Sequence, residues 1–282
     1  MIRKYMLNLN PSFTPLGENN LIEYKSFLFA GGEPHIKISN NFDASLPITI
    51  THRINSFNDL GLICITVDAL KRMGVKEINL FIPYFPAARQ DRVMIPGESL
   101  SVKVYADIIN AMALASVTVF DPHSEVTPAL LNNCVTISNH EFIKQVIAKI
   151  GTEVKLISPD VGALKKIYKV SEFLGGADVV ECSKSRDVKT GKLSGFKVYA
   201  EDLAGADCLI VDDICDGGGT FIGLAEALKA KNAGKLYLAI SHGIFSKGFD
   251  ELGKYFEQIF TTDSIKEVDH EGVTQIKLMD IL

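Results

Sequence analysis

Val211-Asp212-Asp213-Ile214-Cys215-Asp216-Gly217-Gly218-Gly219-Thr220 is the stretch on which the fold turns. An apolar run, Cys208 to Val211, feeds it, and the pattern Phe221 to Lys231 that follows has the spacing of a helix. Where a strand hands over to a helix through glycines, backbone N–H groups point outward and attract anions. Three glycines let the backbone close around a phosphate with no side chain in the way. Three carboxylates beside them would repel a bare phosphate. They suit a ligand that also carries sugar hydroxyls or arrives with Mg2+, and ribose phosphate meets both conditions. A helix start capped by Asp216 or Thr220 is the plainer account, but a cap needs one carboxylate and no glycine triplet.

Outward from this stretch, strand and helix signals alternate. Phe57 to Met73 reads as a helix with Leu60, Ile63, Val67 and Leu70 on one face, followed by a strand from Glu77 to Tyr84. Leu100 to Leu114 and Ser116 to Asp121 repeat the pair. His140 to Ile150 is helical and Gly151 stops it. Strands follow at Val154 to Pro159, Asp178 to Ser183, Phe196 to Ala200, Cys208 to Asp213, Lys235 to His242 and Gln258 to Thr262, with a helix from Val161 to Leu174. The polar stretch Lys184 to Gly195 reads as an exposed flap. The first fifty-odd residues are less regular, with strands expected at Leu21 to Phe29 and His35 to Ile38. Such alternation implies mainly parallel sheets flanked by helices, an α/β chain. The break near Asn139 divides it into residues 1–139 and 140–282.

The 282 residues, 47% hydrophobic and 22% charged, suffice for two ordinary domains and argue against disorder. A net charge of −5 offers no field to draw nucleic acid. Cys64, Cys134, Cys182, Cys208 and Cys215 form neither a CxxC pair nor a zinc spacing, and an odd, scattered set suits a reducing cytoplasm. Met1 to Thr14 lacks an apolar leader core, and no apolar run nears the ~20 residues that span a bilayer. No partner membrane or nucleic acid is expected.

Ligands of open α/β sheets sit beyond the carboxyl ends of strands, and four further polar clusters fall there. Pro83-Tyr84-Phe85-Pro86-Ala87-Ala88-Arg89-Gln90-Asp91-Arg92 carries two arginines suited to polyphosphate and an amide suited to a base edge. By itself it equally describes a solvated loop with an Arg–Asp pair. Asp121-Pro122-His123 places a histidine for a metal or phosphate, and Ser158-Pro159-Asp160 a carboxylate for Mg2+. In the flap, Lys184 and Arg186 are two cations, or simply a basic hairpin in water. G-x-x-x-x-G-K-[ST], G-x-S-x-G, H-E-x-x-H and the kinase signatures are absent.

Taken together, these residues resemble the ribose-phosphate pyrophosphokinase family, the synthetases of phosphoribosyl pyrophosphate. Pro83 to Arg92 is similar to its P-Y-x-x-x-A-R-Q-D-R motif and Asp121-Pro122-His123 to its D-L-H. Ser158 to Asp160 matches its S-P-D, Lys184-Ser185-Arg186 its flap Lys-x-Arg, and Asp212 to Thr220 its D-D-x-x-D-T-G-G-T loop. The resemblance spans about Phe29 to Ile265. It implies two phosphoribosyltransferase-like domains and transfer of the β,γ-pyrophosphate of ATP to the anomeric hydroxyl of ribose 5-phosphate, with Mg2+ and with assembly into dimers or hexamers. By the same resemblance, Phe29, Glu33, Arg89, Gln90, Asp91 and His123 would bind ATP, with His123, Asp160 and Asp213 on the metal side. Asp212 and Asp213 would hold the ribose hydroxyls, and Asp216, Gly217, Gly218, Gly219 and Thr220 the 5-phosphate. Lys184 and Arg186 would be catalytic, neutralising charge in the transition state.

Three departures from the family pattern stand out. The adenine segment F-x-D-G-E is here Phe29-Ala30-Gly31-Gly32-Glu33, with glycine for the aspartate. The phosphate loop has Gly217 where the family usually has threonine. The chain also ends soon after Gln275 to Leu278, without the usual last helix. Gly217 opens an alternative acceptor, a 5-substituted ribose phosphate such as ADP-ribose, beside the reading that glycine makes an equivalent backbone cradle. More distant alternatives are a nucleobase phosphoribosyltransferase and a non-catalytic subunit of a synthetase.

Overall fold

A computed structural model of the chain describes residues 4–186 and 193–282. The chain divides into two compact units, residues 1–138 with 278–280 and 282, and residues 139–277 with 281.

In the first unit, β1 (Tyr5–Asn8) is followed by a hairpin of β2 (Tyr24–Leu28) and β3 (Pro34–Ile38), and then by β4 (Ile48–Thr51). The α1 (Phe57–Arg72), β5 (Ile78–Ile82), α2 (Ser101–Ala111), β6 (Ser116–Phe120), α3 (Val126–Leu130) and β7 (Cys134–Ile137) elements complete it. Its main sheet has the order β1-β4-β5-β6-β7, every neighbour parallel. The start of α1 is set locally: Ser56 Oγ accepts from the N–H of Asp59, and Asp59 reaches back to the N–H of Asn55. Leu60, Ile63, Val67 and Leu70, the face expected from the spacing, are buried in the unit's core.

The second unit runs α4 (His140–Ile150), β8 (Lys155–Ser158), α5 (Leu164–Phe173), β9 (Val179–Arg186), β10 (Leu193–Val198), β11 (Cys208–Cys215), α6 (Gly219–Lys229), β12 (Leu236–Gly243), α7 (Asp250–Gly253), β13 (Gln258–Thr262) and β14 (Val273–Ile276). Gly151 ends α4 in the left-handed region at φ +74°. The sheet order is β10-β9-β8-β11-β12-β13-β14, parallel except for the β9–β10 hairpin. Successive strands run outward from β8 to β9, and the chain then crosses to β11 on the other side. The order therefore reverses between β8 and β11, where open α/β sheets open a crevice for ligands.

The structure moves two boundaries. The strand that precedes the phosphate loop does not stop at Asp213. It continues to Cys215 because β12 stays beside it, with Ile214 opposite His242 and Cys215 opposite Gly243. The flap is shorter than the sequence suggested: β9 extends through Lys184 to Arg186, with Lys184 opposite Phe196 and Arg186 opposite Leu193. Residues 187–192 of that stretch lie outside the described residues. Strands β1, β4, β7 and β14 were not visible in the sequence pattern.

His52, just past β4, is 2% exposed, and among the described residues neither ring nitrogen makes a hydrogen bond. Asp59 Oδ1 stands 3.6 Å from Nε2, beyond hydrogen-bond reach. Burial pushes the imidazole down to about 4, against the opposing pull of Asp59. A folded-state value below the unfolded one means that the unfolded chain takes up the extra proton. Stability is therefore complete above the ordinary histidine range and falls as pH drops through it toward 4. We expect ~2 kcal/mol to be lost between pH 7 and pH 5. His52→Gln should flatten that part of the slope in urea unfolding at the two pH values; equal slopes would refute the account.

Candidate active site

The chemistry of the second unit gathers at the carboxyl ends of β8 and β11. The four-residue apolar run that opens β11 is buried on both faces, which fixes the strand between β8 and β12 and sets Asp212 and Asp213 directly after it, within the strand. Asp213 is buried and Asp212 partly so. The N–H of Asp213 donates to Asp212 Oδ1 at 2.9 Å. Burial, and then the charge of Asp213, pushes the Asp212 carboxyl well above the usual range, with Asp160 adding to it. Burial and the neighbouring carboxyl thus disfavour the ionised form of Asp212. Oxygen-only donors in that condition are what a hard divalent cation or ribose hydroxyls would relieve.

Asp160 follows β8. Its Oδ1 accepts from the N–H of Ala163 at 3.1 Å, and its Oδ2 pairs with the ammonium of Lys184. The structure therefore brings a flap cation onto the carboxylate after β8, two positions 24 residues apart in sequence. Arg186 closes β9, one residue beyond Ser185.

Past Cys215 the loop proper is Asp216, Gly217 and Gly218. Gly218 sits at φ +78°, and a Cβ placed on it would approach Leu252 Cδ2 to 3.0 Å, so glycine is needed for both backbone and space. Gly218 is also the N-cap of α6, and no side chain caps that helix start. The amides of Gly219 and Thr220 open the helix, where the macrodipole favours an anion. Sequence reasoning missed Ser246, whose hydroxyl donates to Asp216 Oδ1 at 2.6 Å. Its position after a strand end was the available signal.

The first unit builds a second cluster at the ends of β5 and β6. Arg89 and Gln90 are exposed, and Asp91 is buried beneath them. The Arg92 guanidinium, 2.9 Å from Asp91, holds that carboxyl below its usual range against the effect of burial, and the Ser124 hydroxyl and His123 add to the lowering. Asp91 thus ties the loop after β5 to the Asp121–His123 turn after β6. Asp121 itself is buried at φ +38°, a backbone state rare outside glycine and one that clusters at ligand sites. Phe29 and Glu33 lie in the β2–β3 turn, closed by Phe29 N–H to Glu33 O at 2.9 Å. The rings of Phe27 and Phe29 are 52% and 53% exposed and 4.9 Å apart. A Cβ on Gly31 would lie 2.6 Å from a Glu33 carboxylate oxygen, so Glu33 occupies the space of the missing aspartate.

Among the described residues no three His, Cys, Asp or Glu side chains converge as metal ligands. No helix among the described residues is long and apolar enough to cross a membrane. None of the five cysteines, all among the described residues, is in a disulfide. Burial pushes Cys182 up to about 12 and Cys208 to about 11, so neither is a reactive thiolate.

Residues 16–113 match the family described as the N-terminal domain of ribose phosphate pyrophosphokinase, and residues 132–274 match the phosphoribosyl transferase domain. A ribose-phosphate pyrophosphokinase of Mycoplasmopsis pulmonis is 30% identical over 244 residues, 84% of this chain and 75% of that protein. One of Vibrio cholerae is 30% identical over 266 residues, covering 90% of this chain and 83% of the relative. In fold, the chain is similar to the crystal structure of the phosphoribosylpyrophosphate synthetase of Mycobacterium smegmatis. The TM-score is 0.85 at 20% identity, covering 99% of this chain and 95% of that one.

Proposed function

Because this chain belongs to the ribose-phosphate pyrophosphokinase family, we infer that it transfers pyrophosphate from ATP to the anomeric hydroxyl of ribose 5-phosphate. The products are phosphoribosyl pyrophosphate and AMP. The observation that carries the assignment to particular residues is the junction of Asp160, Lys184 and the Asp212–Asp213 pair at the reversal of the sheet order.

In this reading the C1 hydroxyl oxygen attacks the β-phosphorus of ATP. The bond from that phosphorus to the bridging oxygen breaks, AMP leaves with the bonding pair, and the hydroxyl proton passes to water. Asp212 and Asp213 accept hydrogen bonds from the 2- and 3-hydroxyls and fix the sugar. Asp216, Gly217, Gly218, Gly219 and Thr220 cradle the 5-phosphate through backbone N–H groups at the start of α6. Lys184 and Arg186 neutralise charge on the transferring group. Arg89 and Gln90 bind ATP with Asp91 and His123 behind them, and Phe29 and Glu33 meet its adenine. Asp160 and Asp213 in the second unit, and His123 in the first, are each candidates to hold Mg2+, which when bound would neutralise the polyphosphate. Positioning and electrostatics supply the rate enhancement.

The protein works in this reading as a homo-oligomer, which the exposed Phe27, Leu28 and Phe29 support. Five cysteines with no disulfide among them support a reducing, cytoplasmic setting.

The test is to incubate the protein with Mg2+, ATP and one acceptor at a time and to identify products by mass. We expect AMP and phosphoribosyl pyrophosphate from ribose 5-phosphate with no nucleobase present, and no product from ADP-ribose. Product from ADP-ribose alone would overturn the acceptor assignment. No AMP with either acceptor would overturn the enzyme. Gly218→Ala should raise the ribose 5-phosphate KM about tenfold, because it strains the backbone at φ +78° and crowds Leu252. An unchanged KM would place the 5-phosphate elsewhere.

A further inference from the structure

We propose that Lys247 binds the 5-phosphate and helps set acceptor specificity, and that Gly217 is bare because the Lys247 side chain lies across it. The proposal rests on the acceptor reading above and adds a residue that the sequence motifs do not contain.

After β12 the chain turns back onto the phosphate loop and is fastened there. The N–H groups of Ile244 and Phe245 donate to Cys215 O at 2.9 and 3.1 Å, and that of Ser246 donates to Asp216 O at 3.1 Å. The Ser246 hydroxyl adds the bond to Asp216 Oδ1. Lys247 is the next residue, so its place beside the loop is fixed by four hydrogen bonds. A Cβ placed on Gly217 would find Lys247 Cδ and Cε at 3.4 Å and Cγ at 3.6 Å as its nearest neighbours. The lysine stem therefore covers the bare face of Gly217. A Cβ alone would just fit, but the branches of a threonine would run into the stem.

The charge balance points the same way. Asp212, Asp213 and Asp216 crowd this end of the sheet, and a phosphate dianion must settle among them. The half-charge of a helix N-terminus is small against three carboxylates. Lys247 is exposed, and among the described residues its ammonium, one bond beyond Cε, has no ion pair. A lysine is suited to a phosphate as a mobile point charge. The hydroxyl donor that the family pattern places on the loop is thus exchanged for a cation reaching over it from the neighbouring strand end.

The experiment is a double-mutant cycle on Lys247 and Gly217, read as KM and kcat for AMP release and by calorimetric titration with ribose 5-phosphate and with inorganic phosphate. Lys247→Ala should raise the ribose 5-phosphate KM about tenfold while the ATP KM stays within twofold, and Lys247→Arg should recover most of the loss. Gly217→Thr should weaken phosphate binding in the wild-type background, and the double variant Gly217→Thr with Lys247→Ala should be no worse than the worse single variant. Multiplying effects, or a Lys247→Ala KM within twofold of wild type, would overturn the proposal. Calorimetry separates the two readings. Wild type that binds ribose 5-phosphate without making product, alongside a Lys247→Ala variant that binds weakly, sinks only the reaction. Product formation with equal binding by both sinks only Lys247. Failure of wild type to bind the acceptor sinks both.

Discussion

Lys184→Ala should lower kcat about 10^3-fold while leaving the KM for ribose 5-phosphate within a few-fold of wild type. Lys184 is paired with Asp160, on a strand and not on a free loop. Its backbone is held opposite Phe196 in the β9–β10 hairpin, so its ammonium starts from a defined position. A cation aimed at a transferring phosphoryl group acts on charge that spreads in the transition state, and removing such a group costs roughly 10^3-fold or more. The contacts proposed for the acceptor lie on the β11 loop and are untouched, which is why the loss belongs in kcat and not in acceptor KM. The measurement is steady-state AMP release with a single-turnover control. Turnover within tenfold of wild type would remove Lys184 from the chemistry, and an equal loss in acceptor KM would make it a binding residue instead.

Asp212→Asn should do two opposite things. The activity should fall about 10^2-fold in kcat/KM, because a charged acceptor of a sugar hydroxyl is exchanged for a neutral one. The ligand-free protein should become more stable, with Tm at pH 7 higher by about 3 °C. The reason is the raised carboxyl: burial and Asp213 make its ionised form unfavourable in the folded chain. Because the folded value exceeds the unfolded one, the folded state keeps the proton more tightly. Stability from this group is complete below the ordinary carboxylate range and is lost as pH rises through the raised value. Asparagine retains the Oδ1 acceptor for the N–H of Asp213 and carries no charge at any pH. An Asp212→Asn protein less stable than wild type at pH 7 would refute this account of the acidic pair.

The elements legible in the sequence were those with enough buried residues to show a period. The helix α1 showed its face at Leu60, Ile63, Val67 and Leu70, and β11 and β12 showed unbroken apolar runs because both faces are covered. Strands β1, β4, β7 and β14 are four residues each, too short for alternation to stand out, and β7 lies at a sheet edge with its middle residues exposed. The motifs named candidate residues but not their company. Nothing in the spacing puts Lys184 on Asp160, or Asp91 with His123 and Ser124, since those meetings depend on sheet order. Ser246 and Lys247 were invisible for a related reason: neither belongs to a motif, and only the return of the chain onto Cys215 and Asp216 gives them a role.

The persistence of β11 as a ladder strand as far as Cys215 has a consequence for how such a chain can diversify. An insertion or deletion before Cys215 would slide the register against β12 and carry both aspartates out of place. Drift is therefore confined to Asp216, Gly217 and Gly218 and to the segment folded back against them. A designer who wished to change the acceptor could graft those few positions between homologous backbones and leave the rest of the strand untouched.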